Sequence, residues 1–143
     1  MGWRITSGPE IGHWVAERVY TGFDEARSTA LGLKRDDEII AGVIYENWSG
    51  RSVWCHLAIE GQITPDYLAA IFDYPFRIGE VDKIISPACS DNEESEKLLT
   101  NMGFAEEGRI KESIPFGDTV FYTLHRNDCR FLNHRYSKRI SHG

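Results

Sequence analysis

Residues 64 to 72, Thr-Pro-Asp-Tyr-Leu-Ala-Ala-Ile-Phe, place a helix between two strand-forming runs, SVWCHLAIE before it and VDKIISPACS after it. Thr64 serves as the N-cap, Pro65 takes the first helical position, and Asp66 puts an acid in the first turn. Tyr67, Leu68, Ile71, Phe72 and Phe76 supply an apolar face, and Pro75 ends or kinks the helix. Neighbouring antiparallel strands need only a tight turn, whereas a helix between strands is the crossover of a parallel pair. That insertion rules out a simple meander and demands a mixed sheet.

The other elements read more plainly. WRITSG is a first strand closed by Gly8-Pro9, and Ile11, Trp14, Val15, Arg18 and Val19 recur at helical spacing up to a stop at Gly22. STALGLKRDDEIIAGVIYENW holds two strands joined at Asp36-Asp37, and Ser49-Gly50 turns the chain into the third. In the second of these, Ile39, Ala41, Val43 and Tyr45 alternate with Ile40, Gly42 and Ile44, so both faces are expected to be buried. After Gly108, RIKESIPFGDTVFYTLHR gives two strands around a Phe-Gly-Asp turn, with Pro115 at an edge or bulge. The expected order is β-α-βββ-α-β-α-ββ.

A chain of 143 residues, 41% hydrophobic and 27% charged, suits one folded domain. We expect it to occupy residues 1–132, followed by a basic tail over 133–143 that includes Arg135, Lys138 and Arg139. Against 22 acids stand 16 Lys and Arg, a net charge of −6, which argues against a nucleic-acid partner. No apolar run approaches the roughly 20 residues of a membrane span, and no signal-peptide core opens the chain. Cys55, Cys89 and Cys129 are scattered too widely for a disulfide framework or a metal site, so a cytoplasmic location without a metal is expected.

The segment Asn92–Gly108, NEESEKLLTNMGFAEEG, carries the most specific letters. Ser90 with Glu93 reads as a capping box, Ser95, Leu98, Leu99 and Met102 share one helical face, and Gly103 with Phe104 forms a left-handed C-terminal stop. The string Asn-x-x-Ser-x-x-Leu-Leu-x-x-Met-Gly-Phe-x-x-Glu-Gly resembles the C-terminal signature of the GNAT acyltransferases, the acetyl-CoA-dependent N-acetyltransferase superfamily. It is most similar to the branch containing ribosomal-protein N-terminal acetyltransferases.

That resemblance implies an α/β (α+β) fold: a mixed, mostly antiparallel sheet of six to seven strands, a central parallel pair that splays, and helices on both faces. It implies acetyl transfer from acetyl-CoA to a primary amine, on a small molecule or a peptide, and leaves room for a homodimer. The pantetheine arm would lie between the strand ending at Ile59-Glu60 and the strand Lys83–Pro87. Asn92 would contact the arm, and Ser95 would sit near the thioester sulfur as the acid. The phosphate loop would fall at residues 60–67, with Ile59, Gly61 and Gln62 bordering the cofactor. For the base, the resemblance points to the strand after Gly108, where Glu112 lies two residues before the family position, Ile114. Glu60 and His56, which share a face of the third strand, compete with it.

One segment departs from the family pattern. A glycine-rich loop lets backbone N–H groups approach a diphosphate at a helix N-terminus. Here the chain reads Glu60-Gly61-Gln62-Ile63-Thr64-Pro65-Asp66, with a single glycine, a proline lacking an N–H, and an acid where the phosphate would sit. The alternative expectation is a GNAT-like fold that has lost its cofactor site and works as a binding or assembly module.

Overall fold

Every neighbouring pair of strands is antiparallel except one. The computed structural model describes residues 2–19 and 21–132; the basic tail expected at 133–143 lies outside them. Strands β1 (Trp3–Ser7), β2 (Thr29–Arg35), β3 (Glu38–Glu46), β4 (Ser52–Ile59), β5 (Lys83–Cys89), β6 (Ala105–Ile114) and β7 (Gly117–His125) form one sheet, ordered β1-β2-β3-β4-β5-β7-β6. Helix α1 (Pro9–Val19) follows β1, α2 (Pro65–Asp73) carries the crossover from β4 to β5, and α3 (Glu93–Asn101) leads from β5 to β6. The element order is the one read from the sequence, and β4–β5 is the parallel pair.

The helices divide between the two faces. On one, Ile11 and Val15 of α1 pack on Ala30, Ile44 and Ala58. On the other, Tyr67, Ile71 and Phe72 of α2 join Leu99 and Met102, at the end of α3, over Val43, Tyr45, Val53 and Ile84. The Phe131 ring stacks on Phe72, with centroids 4.8 Å apart, and so closes this second core with the C-terminal turn. Tyr45, wholly buried, donates its hydroxyl to the Ile71 carbonyl, and Tyr67 donates to the Leu31 carbonyl at 2.9 Å. Each buried hydroxyl therefore has a partner.

Two local details differ from the sequence reading. Helix α2 ends at Asp73, just before Pro75, but the chain continues as a π-helical turn, Tyr74–Ile78, rather than a loop, and the Gly79 N–H reaches the Tyr74 carbonyl at 2.8 Å. A proline that cannot donate to its own i−4 carbonyl is accommodated by this wider winding. The cap of α3 is Asn92 rather than Ser90, with the Asn92 Oδ1 accepting from the Ser95 N–H at 3.1 Å. Ser90 is still engaged with the sheet, its N–H donating to the Asp118 carbonyl and its hydroxyl accepting from the Asp118 N–H. The helix therefore begins two residues later. Its C-terminal stop is as expected, with Gly103 at φ 102° and Phe104 buried.

Helix α1 sits unusually close to the sheet because Gly32 of β2 pairs directly with Gly42 of β3. A Cβ at Gly32 would lie 2.4 Å from Ile11 Cδ1, and one at Gly42 would lie 2.6 Å from Val15 Cγ2. Both partner side chains are fully buried and have nowhere to retreat. We expect Gly32→Ala to destabilise the protein by about 1–3 kcal/mol through overpacking, read as a lower urea midpoint at unchanged m-value. A midpoint equal to or above that of the parent would show that α1 is not seated this tightly.

Candidate active site

The β4–β5 ladder lasts for three residue pairs, Ser52–Lys83, Val53–Ile84 and Trp54–Ile85, and then opens. At the vertex the buried Ser86 hydroxyl donates to the Cys55 carbonyl at 3.1 Å. Beyond it comes Pro87. Strand N–H groups alternate between the two neighbouring strands, and the Ser90 N–H points to β7. The position at 87 therefore faces β4, where proline has no N–H to offer. A proline inside a sheet is expected only at an edge; here the splay gives β5 an edge in the middle of the sheet. Across the gap, Ala58 pairs with Gly42 and the Glu60 N–H donates to the Ile40 carbonyl, so the even-numbered amides of β4 serve β3. The amides of Leu57 and Ile59 face the opening instead.

A cavity of about 820 Å³ fills the gap. Leu57, Ser86, Pro87 and Ala88 form its waist, Asn92, Ser95 and Leu98 of α3 close one side, and Ile114, Phe116 and Thr119 of the β6–β7 hairpin close another. Arg18, Val19, Thr21 and His56 line the α1 side. An adjoining depression of about 460 Å³ shares Thr21 and is bordered by Asp24 and Glu46.

The residues singled out from the sequence fall into two groups. Asn92 and Ser95 both line the cavity, as does His56. The remaining candidates do not. The Glu60 carboxylate lies 2.9 Å from Arg18 Nε, and that guanidinium in turn stacks 3.9 Å above the Trp14 ring. Glu112 is exposed at an irregular stretch of β6, at φ 52°, with its N–H bound to Asp118 Oδ1. The cavity wall nearest that strand is built instead by Ile114, two residues on. Ile59 leans into the larger core. Gly61 is exposed, and its missing Cβ makes room for Ile40 Cγ2, which would lie 2.8 Å away. Gln62 is likewise exposed outside the cavity.

His56 has an unusual setting. Its Nε2 is buried without a hydrogen-bond partner, 3.6 Å from Glu46 Oε1, a separation too long for a hydrogen bond. Burial lowers the His56 pKa from its ordinary 6.5, only partly opposed by the Glu46 charge, so the imidazole is neutral at pH 7. Cys89, also on the cavity wall, donates its thiol to Asp91 Oδ1 at 2.6 Å, which holds it in the unreactive thiol form. All three cysteines are free, and burial pushes the Cys55 thiol up to about 12. Among the described residues no cluster of His, Cys, Asp or Glu is placed to hold a metal ion, and no helix is long and apolar enough to cross a membrane.

The residues missed in the sequence are those whose role depends on pairing between distant segments. Ser86 and Pro87 could have been suspected from a Ser-Pro step inside a strand; nothing local pointed to Arg18 or Thr119.

This architecture is that of the GNAT acetyltransferases. The spermidine N-acetyltransferase of Vibrio cholerae, in its dodecameric structure, superimposes at a TM-score of 0.70 with 16% identity, over 92% of this chain and 96% of its own. RimJ from Mycobacterium smegmatis, solved with CoA-disulfide, matches at 0.62 with 20% identity, over 81% of this chain and 60% of its own. The ribosomal-protein-S5-alanine acetyltransferase of Vibrio fischeri matches at 0.60 with 19% identity, over 73% of this chain and 65% of its own. The sequence matches no family model and no curated protein.

Protonating His56 in the folded state is disfavoured, whereas in the unfolded chain it titrates near 6.5. Below that pH the unfolded state binds the extra proton and stability falls. We expect the melting temperature of the parent to drop between pH 7 and pH 5 more steeply than that of His56→Gln. Parallel curves for the two proteins would remove His56 as the cause.

Proposed function

We propose that this protein is an N-acetyltransferase that passes the acetyl group of acetyl-CoA directly to a primary amine. The observation that carries this reading is the splayed β4–β5 gap, with Leu57 on one side and Asn92 and Ser95 on the other. An extended amide-containing arm such as pantetheine can hydrogen-bond an open strand edge as a further strand would. The Asn92 oxygen is committed to the helix, which leaves its amide nitrogen as the donor toward the arm.

The amine enters from the α1 side, where Asp24 and Glu46 favour a cationic acceptor. Proton removal falls to the His56–Glu46 pair: a neutral imidazole accepts the amine proton, and the adjacent carboxylate stabilises the imidazolium that forms. The new C–N bond forms as the thioester C–S bond breaks, and the Ser95 hydroxyl donates a hydrogen bond to the departing thiolate. A peptide N-terminus, a polyamine and a small amine are all chemically suited, and a cytoplasmic enzyme, as a monomer or homodimer, fits these roles.

A non-catalytic binding module on the same fold is the competing reading. It draws support from the α2 N-terminus, where Pro65 lacks an N–H and Thr64 Oγ1 already takes the Tyr67 N–H at 3.2 Å. Thiol release from acetyl-CoA, followed over a panel of peptides, spermidine and simple amines, separates the two. No release above the buffer rate, together with no thermal shift from CoA, would end the enzymatic reading.

For the active protein we expect His56→Gln to lower kcat by about a hundredfold or more, the usual contribution of a general base. We expect Ser95→Ala to cost about tenfold to a hundredfold in kcat at little change in KM, as for a hydrogen bond to a charged group made late in the reaction. Wild-type turnover in either variant would reassign that role.

A further inference from the structure

We infer that the donor is held through its pantetheine arm alone, and that the nucleotide half of CoA adds nothing to affinity. The inference rests on the acetyl-transfer reading above. CoA ends in a diphosphate and a 3′-phosphate, and phosphate sites are built from unspent N–H groups at helix N-termini, glycine-lined loops and Arg or Lys. Among the described residues around the gap these donors are scarce.

At α2, the first-turn N–H groups are depleted, because Pro65 has none and that of Tyr67 is bound to Thr64 Oγ1. Gly61, the one glycine of the preceding loop, serves the approach of Ile40 and would clash with it if it bore a Cβ. At α3, the Ser95 N–H is bound to Asn92 Oδ1, and the first turn carries Glu93, Glu94 and Glu96. Among the described residues lining the cavity, Arg18 is the one Lys or Arg, and it is paired with Glu60. Asp91, Glu93 and Glu94 line the same cavity. Among the described residues that line it, an anion meets three carboxylates and one cation already paired.

The pantetheine arm is uncharged and meets none of this opposition. It needs an amide partner and an apolar channel, which the Leu57 amide and the side chains of Leu57, Pro87 and Leu98 provide. The gap is thus matched to one half of the expected donor and mismatched to the other, so short pantetheine thioesters are substrates on equal terms with acetyl-CoA.

Isothermal titration of the full chain with CoA, with pantetheine and with adenosine 3′,5′-bisphosphate tests this. We expect pantetheine to bind within about threefold of CoA, a difference well under the 1.4 kcal/mol of a decade. We expect no heat from the bisphosphate. Raising the salt from about 50 to 500 mM should leave CoA binding unchanged or tighter, since screening relieves repulsion and weakens attraction. A CoA advantage larger than threefold, displacement of CoA by the bisphosphate, or CoA binding that weakens with salt overturns the inference and leaves acetyl transfer standing. Failure of both CoA and pantetheine to bind overturns the two together.

Discussion

The hydrogen bond from Ser86 to the Cys55 carbonyl marks the point on which the rest of the molecule depends. Before it, β4 and β5 behave as an ordinary parallel pair; after it, they diverge around a cavity. Opening a sheet in its interior strands backbone groups that would normally be paired, at a cost comparable to a lost hydrogen bond for each group left dry. Three features keep that cost low. Pro87 removes one donor outright, the Ser86 hydroxyl meets one acceptor, and the remaining amides face a cavity where water or a ligand can reach them. The site follows from making a break in the sheet tolerable.

The two helices that flank the break each cap one of their own first-turn N–H groups. Both are closed from within, Thr64 on α2 and Asn92 on α3, and both carry acids in the first turn. Such caps stabilise the helix by about 1 kcal/mol each, and acids near an N-terminus add a few tenths more. The same choices occupy the Tyr67 and Ser95 N–H groups, which an anionic ligand could otherwise use. Local helix stability and phosphate recognition draw on one set of donors, and in this chain the helices have kept them.

Much of the fold was legible because its signals are local. The Thr64-Pro65 helix start, the Gly103-Phe104 stop and the Asp36-Asp37 turn each require only a few consecutive residues, and each lies where it was expected. The order of strands and helices then restricted the topology to a mixed sheet. The start of α3 was read two residues early because Ser90 looks like a cap in sequence, while its hydroxyl is claimed by Asp118 of β7 across the sheet. The site was legible only in part. Asn92 and Ser95 belong to a recognisable string and reach the cavity, as does His56. Glu60, a candidate base in the sequence, is held by a guanidinium from α1, 42 positions away. Glu112 was placed by counting along a strand, and the register of β6 shifts between Ile110 and Ile114, so counting fails there.

The glycine pair beneath α1 acts at a distance from the chemistry. Gly32 and Gly42 let the helix settle directly on the strands, and the far end of that helix brings Arg18 and Val19 into the cavity wall. That stretch of cavity wall is therefore carried by a helix seated on two missing methyl groups. A chain of this architecture can reshape its cavity by changing residues that do not line it.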